Sequence, residues 1–215
     1  MNKYQKRAKT YKLIFIIVGL VIVPLYALIF SQYGPGGDLI LVTFSQIGAR
    51  YGAMELLIIW GMLTSLYYLA FLSYLAVLTR FNNFIMNFLI GFGGLSMLVT
   101  VFLPFAPSMF PITSETHNFL AYVTAVSTLF SLVVFVGSLF RLDRLLFVKS
   151  AILLLIVVAA CLTVLIVFGV SSLFQIVFST LLCALLCLLL IFIEKSPNIN
   201  ISQALEDHDK QTDKF

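Results

Sequence analysis

The chain has very few charged residues for its length. Asp, Glu, Lys and Arg make up 10% of its 215 residues, against about 25% in soluble globular domains. Hydrophobic residues make up 61%. A water-soluble protein of this size could not bury that much apolar surface, so lipid has to be the solvent of most side chains. The shortage of charge therefore excludes a soluble domain and indicates an integral membrane protein.

Cysteine and histidine are also scarce, which excludes several kinds of chemistry. The three cysteines, Cys161, Cys183 and Cys187, all lie within long apolar stretches, so we predict neither a disulfide nor a Cys-x-x-Cys metal site. A transmembrane haem needs two axial ligands. Of the two histidines, however, only His117 lies beside an apolar stretch, and His208 lies in the polar C-terminal segment. We therefore predict no cofactor and no metal ion.

Several catalytic and transport signatures are missing as well. The chain contains no Gly-x-Ser-x-Gly elbow, no His-Glu-x-x-His pair and no glycine-rich phosphate loop. Secondary transporters usually have an interrupted helix at the middle of the membrane, often with a charge there, but no charged residue falls deep within an apolar stretch here. The sequence therefore argues against a proton-driven pump, and it leaves a passive or lipid-handling role open.

What the chain does have is a series of six apolar stretches long enough to cross a bilayer. A transmembrane helix needs about 20 apolar residues to cross about 30 Å of hydrocarbon. We predict an all-α bundle of six transmembrane helices within residues 1–195, followed by a short polar tail, residues 196–215, that is disordered. The predicted spans are residues 13–30, 53–78, 84–105, 119–139, 151–170 and 173–193.

The Lys and Arg residues alternate between the two sides of this bundle. Counted before, between and after the spans, they number 5, 1, 1, 0, 3, 0 and 3, so twelve fall in the odd-numbered gaps and only Arg50 in an even one. Short loops rich in Lys and Arg stay in the cytoplasm. We therefore predict a multi-pass protein of the cell membrane with both termini cytoplasmic and an uncleaved first span rather than a signal peptide. Anionic headgroups explain the net charge of +4 without a nucleic-acid partner.

The first outer loop, residues 31–51, is too apolar to be fully solvated and too short to cross the membrane. It opens with a glycine- and proline-rich turn at residues 34–38 and continues with an apolar segment, residues 39–44. We expect this loop to lie at the headgroup level or to fold back over the bundle. Pro24 is predicted to kink the first span near its outer end.

Ionisable and polar residues collect on the predicted outer side, where we place a candidate polar site. Ionisable groups at the membrane boundary are costly and usually have a purpose. A Glu and a His two residues apart at a helix start could do acid–base work or bind a cation. Alternatively, these charges only neutralise one another, with Arg50 pairing with Glu55 or Asp38. The candidate residues are Asp38, Ser45, Arg50, Glu55, Glu115 and His117.

Small and polar residues form one-sided stripes on three spans. Asn87, Gly91 and Gly94 in span three share a helix face, which suits close packing of another helix or of a partner protein. Spans four and six carry stripes of small polar residues, which are typical of helix packing; a conduction path or a ligand groove is the alternative. These stripes are His117, Ala121, Thr124, Thr128 and Ser131 in span four, and Gln175, Ser179, Cys183 and Cys187 in span six.

Two short motifs give the chain a family resemblance. A Ser-x-x-Gly element, Ser45 and Gly48, precedes span two, and His117 lies near the outer start of span four. With six spans, this pattern resembles the DRAM/FRAG-type superfamily in its bacterial branch. The resemblance implies a six-span fold and a lipid-related or membrane-trafficking role, with no particular reaction. The family pattern commonly has an acidic residue after the serine, whereas this chain has Gln46. Any role of that carboxylate in relatives is therefore either absent here or supplied by Asp38 nearby.

Three functions from different classes are compatible with the sequence. The first, which we favour, is a non-catalytic protein that binds membrane lipid, another membrane protein or a second copy of itself through its outer loops and small-residue faces. The second is a transport component, either a permease-like subunit or a small carrier, that uses the polar stripes of spans four and six. The third is a lipid-modifying enzyme that uses His117 with an outer-face carboxylate.

Overall fold

The computed structural model of the chain describes residues 3–81 and 83–212. Within these residues the chain forms helices joined by short loops, without a strand. Six helices are long and apolar enough to cross a membrane. This confirms the predicted all-α, multi-pass membrane fold. The candidate spans are Lys3–Ser31, Met54–Leu78, Phe84–Phe102, Pro111–Arg141, Arg144–Phe168 and Ser172–Lys195.

The first span changes its helical pitch in the middle. It consists of α1 (Lys3–Ile17), a π-helical turn (Val18–Ile22) and α2 (Val23–Ser31). Pro24 lies in the first turn of α2. A proline cannot donate a backbone hydrogen bond, and its ring crowds the carbonyl four residues earlier, which here falls within the π turn. The irregularity predicted from Pro24 is therefore a π turn that precedes the proline.

The remaining elements include a short helix in the first loop, five spanning helices and a C-terminal helix. Polar side chains that accept backbone N–H groups start three of the spans, with Asn83 at α5, Asp143 at α7 and Ser171 at α8. Span four begins at Pro111, earlier than predicted, because proline suits the first helical turn. The elements are α3 (Phe44–Arg50), α4 (Met54–Leu78), α5 (Phe84–Phe102), α6 (Pro111–Ser138, continued by a 3-10 turn at Leu139–Arg141), α7 (Arg144–Phe168), α8 (Ser172–Lys195) and α9 (Ile201–Thr212).

α4 is the central helix of the bundle. It contacts α2, α3, α5, α8 and α9, and Phe71, Leu72 and Leu75 on it are fully buried. Two of its tyrosines tie it to other spans, since the Tyr67 hydroxyl donates to a carbonyl of α1 and the Tyr68 hydroxyl to a carbonyl of α6. α5 and α6 pack closely along each other, and α7 packs mainly on α8. Most large side chains of α7 face outward, as lipid-facing residues do.

The two ends of the bundle differ in chemistry. We call the end with residues 3–12, 79–81, 139–144 and 195–212 the charged end, and the opposite end, with residues 32–53, 103–110 and 169–171, the loop end. At the charged end, Asp143 caps α7, and its carboxylate accepts hydrogen bonds from the Leu146 N–H and the Ser196 hydroxyl. These two hydrogen bonds, the Leu146 one first, hold the pKa of Asp143 below its ordinary value.

The C-terminal segment differs from the sequence prediction. The described part of the tail, predicted to be disordered, forms α9 and packs against α1 and α4. Ala204 and Leu205 are 3% and 4% exposed, because they form an apolar stripe on an otherwise polar helix. Two of the acidic residues that suggested disorder, Asp207 and Asp209, instead pair with basic residues of other elements, and Glu206 pairs with Lys210 within α9. Among the described residues, the ion pairs at this end are Arg7–Asp209, Arg80–Asp207, Lys12–Glu194 and Lys210–Glu206.

Candidate functional site

The first loop at the loop end folds back over the bundle as a cap. Its helix α3 starts with a capping box, in which the Thr43 hydroxyl accepts from the Gln46 N–H at 3.2 Å and the Gln46 side chain accepts from the Thr43 N–H at 2.8 Å. Phe44 and Ile47 are fully buried in a cluster with residues of α2 and α4. This burial explains the apolar character of the loop, and the loop takes one of the two positions expected for it.

The same loop supplies hydrogen-bond acceptors to the start of α8. The Ser172 N–H donates to the Val42 carbonyl at 2.7 Å, and the Leu173 N–H donates to the Leu39 carbonyl at 2.8 Å. In return, the Gln175 side chain accepts from the Phe44 N–H at 2.7 Å. The first N–H groups of a helix lack intrahelical acceptors. The loop carbonyls accept from these N–H groups of α8, and the Gln175 side chain of α8 accepts from an N–H of the loop. Gln175, predicted as part of the span-six stripe, therefore holds the cap in place.

Ser45 and His117 are the two predicted site residues that the structure brings together. Ser45 Oγ lies 2.7 Å from His117 Nε2, and His117 Nδ1 lies 3.0 Å from the Leu103 carbonyl oxygen. Because a carbonyl only accepts, Nδ1 carries the proton, and in the neutral ring Nε2 accepts from the Ser45 hydroxyl. His117 is only 3% exposed. One buried polar chain thus joins α3, the end of α5 and the start of α6.

The other four residues of the candidate polar site lie apart from this pair. Asp38, Arg50, Glu55 and Glu115 are exposed, and none of them forms an ion pair with any residue in 3–81 or 83–212. The Asp38 carboxylate accepts hydrogen bonds from the backbone N–H of Ile40 at 2.8 Å and from that of Leu41 at 3.3 Å. The alternative in which Arg50 neutralises Glu55 or Asp38 is therefore not observed.

The predicted small-residue face of span three divides between the interior and the outside. Gly94 is buried, and a Cβ added there would lie 2.6 Å from the Leu69 side chain of α4. Gly91 is exposed, and a Cβ added there would meet nothing within 4 Å. Asn87 is exposed as well. Gly94 therefore packs within the bundle, and the use of Asn87 and Gly91 as a partner face stays a prediction.

Among the close-packing glycines that were not identified from the sequence, two lie where α5 meets its neighbours. A Cβ added at Gly61 of α4 would lie 2.2 Å from the Val101 side chain of α5, and one at Gly93 would lie 3.1 Å from Ser127 of α6. Gly93 could have been noticed, since it adjoins Gly94. Gly61 stands alone in its span and gives no pattern. Both set the spacing of α5 from its neighbours.

A groove of about 70 Å³ lies between α4, α5, α6 and α8. It lies at mid-depth along these spans and is partly open to the outside of the bundle, where hydrocarbon surrounds the protein. Part of each predicted polar stripe faces it, with Thr124 and Thr128 from α6 and Ser179 and Cys183 from α8, and none of the described residues that line it is charged. The stripes therefore meet at one shared site, which favours the ligand groove that was an alternative to simple packing.

The comparisons with known proteins give no further guide to function. No protein-family model, curated protein or solved structure matches the chain. No group of three or more His, Cys, Asp or Glu side chains that could hold a metal ion occurs in the part of the chain that the structure describes. Function is therefore inferred from the geometry of the groove and of the Ser45–His117 pair.

Proposed function

We propose that this integral membrane protein is non-catalytic and binds the apolar chain of a membrane lipid in the groove between α4, α5, α6 and α8. The observation that carries the proposal is that the groove is partly open at mid-depth and has no charged lining residue. An ion or a polar solute would lose its hydration there without gaining a charged partner. An acyl chain, which already lies in hydrocarbon, loses no hydration and gains packing contacts.

The outer loop takes part in this proposal by closing one end of the groove. The Phe44 ring of α3 packs edge-on against the Trp60 ring at 5.0 Å, and Trp60 lines the groove. The cap and the groove therefore share a wall. Exposed apolar side chains of the loop end, such as Leu41 and Met109 at 72% and 76% exposure, would contact the lipid surface around it.

Membership in the DRAM/FRAG-type superfamily is part of the same proposal. Its support is that the residues that carry the resemblance lie together, because Ser45 hydrogen-bonds to His117. Gly48 lies close to Leu57 of α4, at 2.9 Å from an added Cβ, so a glycine is needed where α3 meets α4. Gln46 is used in the capping box, a position where Glu serves equally well. The lipid-related role that the resemblance implies agrees with the groove.

A lipid-modifying enzyme is the second candidate function, and the Ser45–His117 hydrogen bond favours it. His117 Nε2 lies where a general base would take the serine proton as Oγ attacks an ester carbonyl, forming an acyl-serine and releasing the alcohol. Water would then release the acyl group. The predicted carboxylate partner is not in contact, since the Leu103 carbonyl holds Nδ1 and Glu115 is exposed.

Fluorescence quenching of Trp60, the single tryptophan of the chain, tests the groove. We expect detergent-solubilised protein to show saturable quenching by phospholipid with brominated acyl chains, because a chain in the groove contacts the ring. Thr124→Phe fills the groove and should raise the apparent dissociation constant about tenfold.

Thr163→Phe is the matched control for that change. Thr163 faces outward on α7, and both threonine hydroxyls donate to the carbonyl four residues earlier at 2.9 Å, so the two substitutions remove the same local hydrogen bond. The control should quench like the unaltered protein. Equal quenching in the Thr124→Phe and Thr163→Phe variants would show that only surrounding lipid reaches Trp60, and the groove proposal would fail.

The charged end is proposed to face the cytoplasm of the cell, with the loop end outside, as the Lys and Arg distribution indicates. We expect Ser108→Cys, at an exposed position of the loop end, to react with a membrane-impermeant maleimide on intact cells. Gln203→Cys, at an exposed position of the charged end, should react only after permeabilisation. The reverse labelling pattern would invert the proposed orientation.

A further inference from the structure

Trp60 has a buried hydrogen-bond donor that the protein does not use. The side chain is 8% exposed and lines the groove. Its Nε1 is fully buried and has no acceptor among the residues that the structure describes. Buried N–H groups nearly always have an acceptor, because they lose their hydration when they are buried. Because the Trp60 side chain lines the groove, a ligand there that displaces the atoms around Nε1 and brings an acceptor would satisfy this N–H.

Most of the hydroxyl groups that line the groove already donate a hydrogen bond within the protein. Six hydroxyls that line it donate to backbone carbonyls at 2.8–3.2 Å, so they can accept from a ligand but not donate to it. Unlike these hydroxyl groups, the indole N–H has no acceptor among the described residues. These hydroxyls belong to Thr64, Ser65, Tyr67, Tyr68, Thr124 and Ser179.

We infer that the groove selects an uncharged apolar ligand with a carbonyl group, whose oxygen accepts a hydrogen bond from Trp60 Nε1. The inference rests on the proposed lipid binding and specifies its ligand. A phosphate or carboxylate at this depth would be buried without a cation, since no charged side chain lines the groove. A carbonyl oxygen accepts a hydrogen bond and carries no proton, so it does not itself need an acceptor in the groove.

The depth of Trp60 fits two sources of such a carbonyl. Trp60 lies six residues after Met54, the first residue of α4, which is about 9 Å along the helix axis. A helix of 25 residues is about 37 Å long, several ångströms longer than about 30 Å of hydrocarbon. Trp60 therefore lies a short distance inside the hydrocarbon boundary. The ester carbonyl of an acylglycerol and the ring carbonyl of an apolar quinone can both reach this level.

Ligand-dependent melting of the full-length protein in detergent tests the inference. The probes are a diacylglycerol, the corresponding dialkyl ether glycerol, which lacks both carbonyls, a decyl-substituted benzoquinone and decylbenzene. Apparent dissociation constants follow from the rise of the melting midpoint with probe concentration. We expect the unaltered protein to bind at least one carbonyl probe about fivefold more tightly than its carbonyl-free analogue, the typical effect of one neutral hydrogen bond.

The Trp60→Phe variant removes the donor and keeps an aromatic ring. It should bind each carbonyl probe and its analogue equally, while its retained binding of the carbonyl-free probes shows that it is folded. A preference for the diacylglycerol identifies an ester lipid, and a preference for the benzoquinone identifies a quinone. Equal affinity within both pairs in the unaltered protein would overturn the carbonyl inference but leave lipid binding intact. Absence of saturable binding by every probe would overturn both.

Discussion

The Gly61→Leu variant is expected to lose much of its stability, whereas Gly91→Leu is expected to keep it. A Cβ at Gly61 would lie 2.2 Å from Val101 Cγ1 and 2.9 Å from Val101 Cβ. Valine has little rotamer freedom in a helix, and α5 packs closely on α6 behind it, so α4 and α5 would have to separate. The cost should be about 3 kcal/mol, at the upper end of typical overpacking.

Thermal unfolding in detergent, followed by circular dichroism, measures this difference. About 3 kcal/mol corresponds to a drop of roughly 10 °C in the melting midpoint for a chain of this size. Gly91 is the matched control, because it is a helical glycine in the neighbouring span and a Cβ there would meet nothing within 4 Å. Equal melting midpoints for the two leucine variants would contradict the close contact between α4 and α5.

The contrast between these glycines also determines how a partner face can be tested. Changing Gly91 and Gly94 together would confuse association with folding, because Gly94 packs against Leu69 inside the bundle. Gly91→Leu alone leaves the bundle intact and alters only the exposed surface. Loss of association in this single variant would therefore support a partner protein, or a second copy of the chain, at the face that includes Gly91.

The sequence predicted the spans well because their signal is local. About 20 consecutive apolar residues suffice to indicate a membrane helix, and α4, predicted for residues 53–78, is found at Met54–Leu78. α9 could not be predicted in the same way. Its short stripe, Ala204 and Leu205, becomes stable only through burial against α1 and α4, and the basic partners of Asp207 and Asp209 are far away in the sequence.

Only part of the candidate site could be predicted, because the side of the bundle follows from the order of the spans but the contacts depend on the tertiary fold. Placing Ser45 and His117 on one side of the bundle required only the alternation of the spans. Their contact depends on α3 folding over the bundle, which follows from the burial of Phe44 and Ile47. The groove required the relative rotation of four helices, since the stripes on spans four and six had to face the same space. No single stretch of sequence contains that information.

The His117→Ala variant is expected to release the cap formed by α3. His117 accepts from Ser45 and donates to the Leu103 carbonyl, so its removal leaves two partly buried groups without that partner, at a cost of up to about 3 kcal/mol for each. Ser45→Ala leaves only one buried group, His117 Nε2, without a partner, at a cost of about 1–3 kcal/mol. Hydrogen exchange of the backbone amides in residues 39–50 should therefore increase in both variants, and more in His117→Ala.

A serine-reactive fluorophosphonate separates this structural role from catalysis. If the pair only holds the cap, as the proposed function requires, the reagent should not label the protein, and hydrogen exchange alone should change. Labelling of the unaltered protein that disappears in Ser45→Ala and in His117→Gln would support the enzyme instead. Gln can still bridge Ser45 and Leu103 but makes a poor general base, so it preserves the cap and removes the chemistry. Glu115→Gln is the control for both readouts, because Glu115 is exposed on the same helix and contacts neither group.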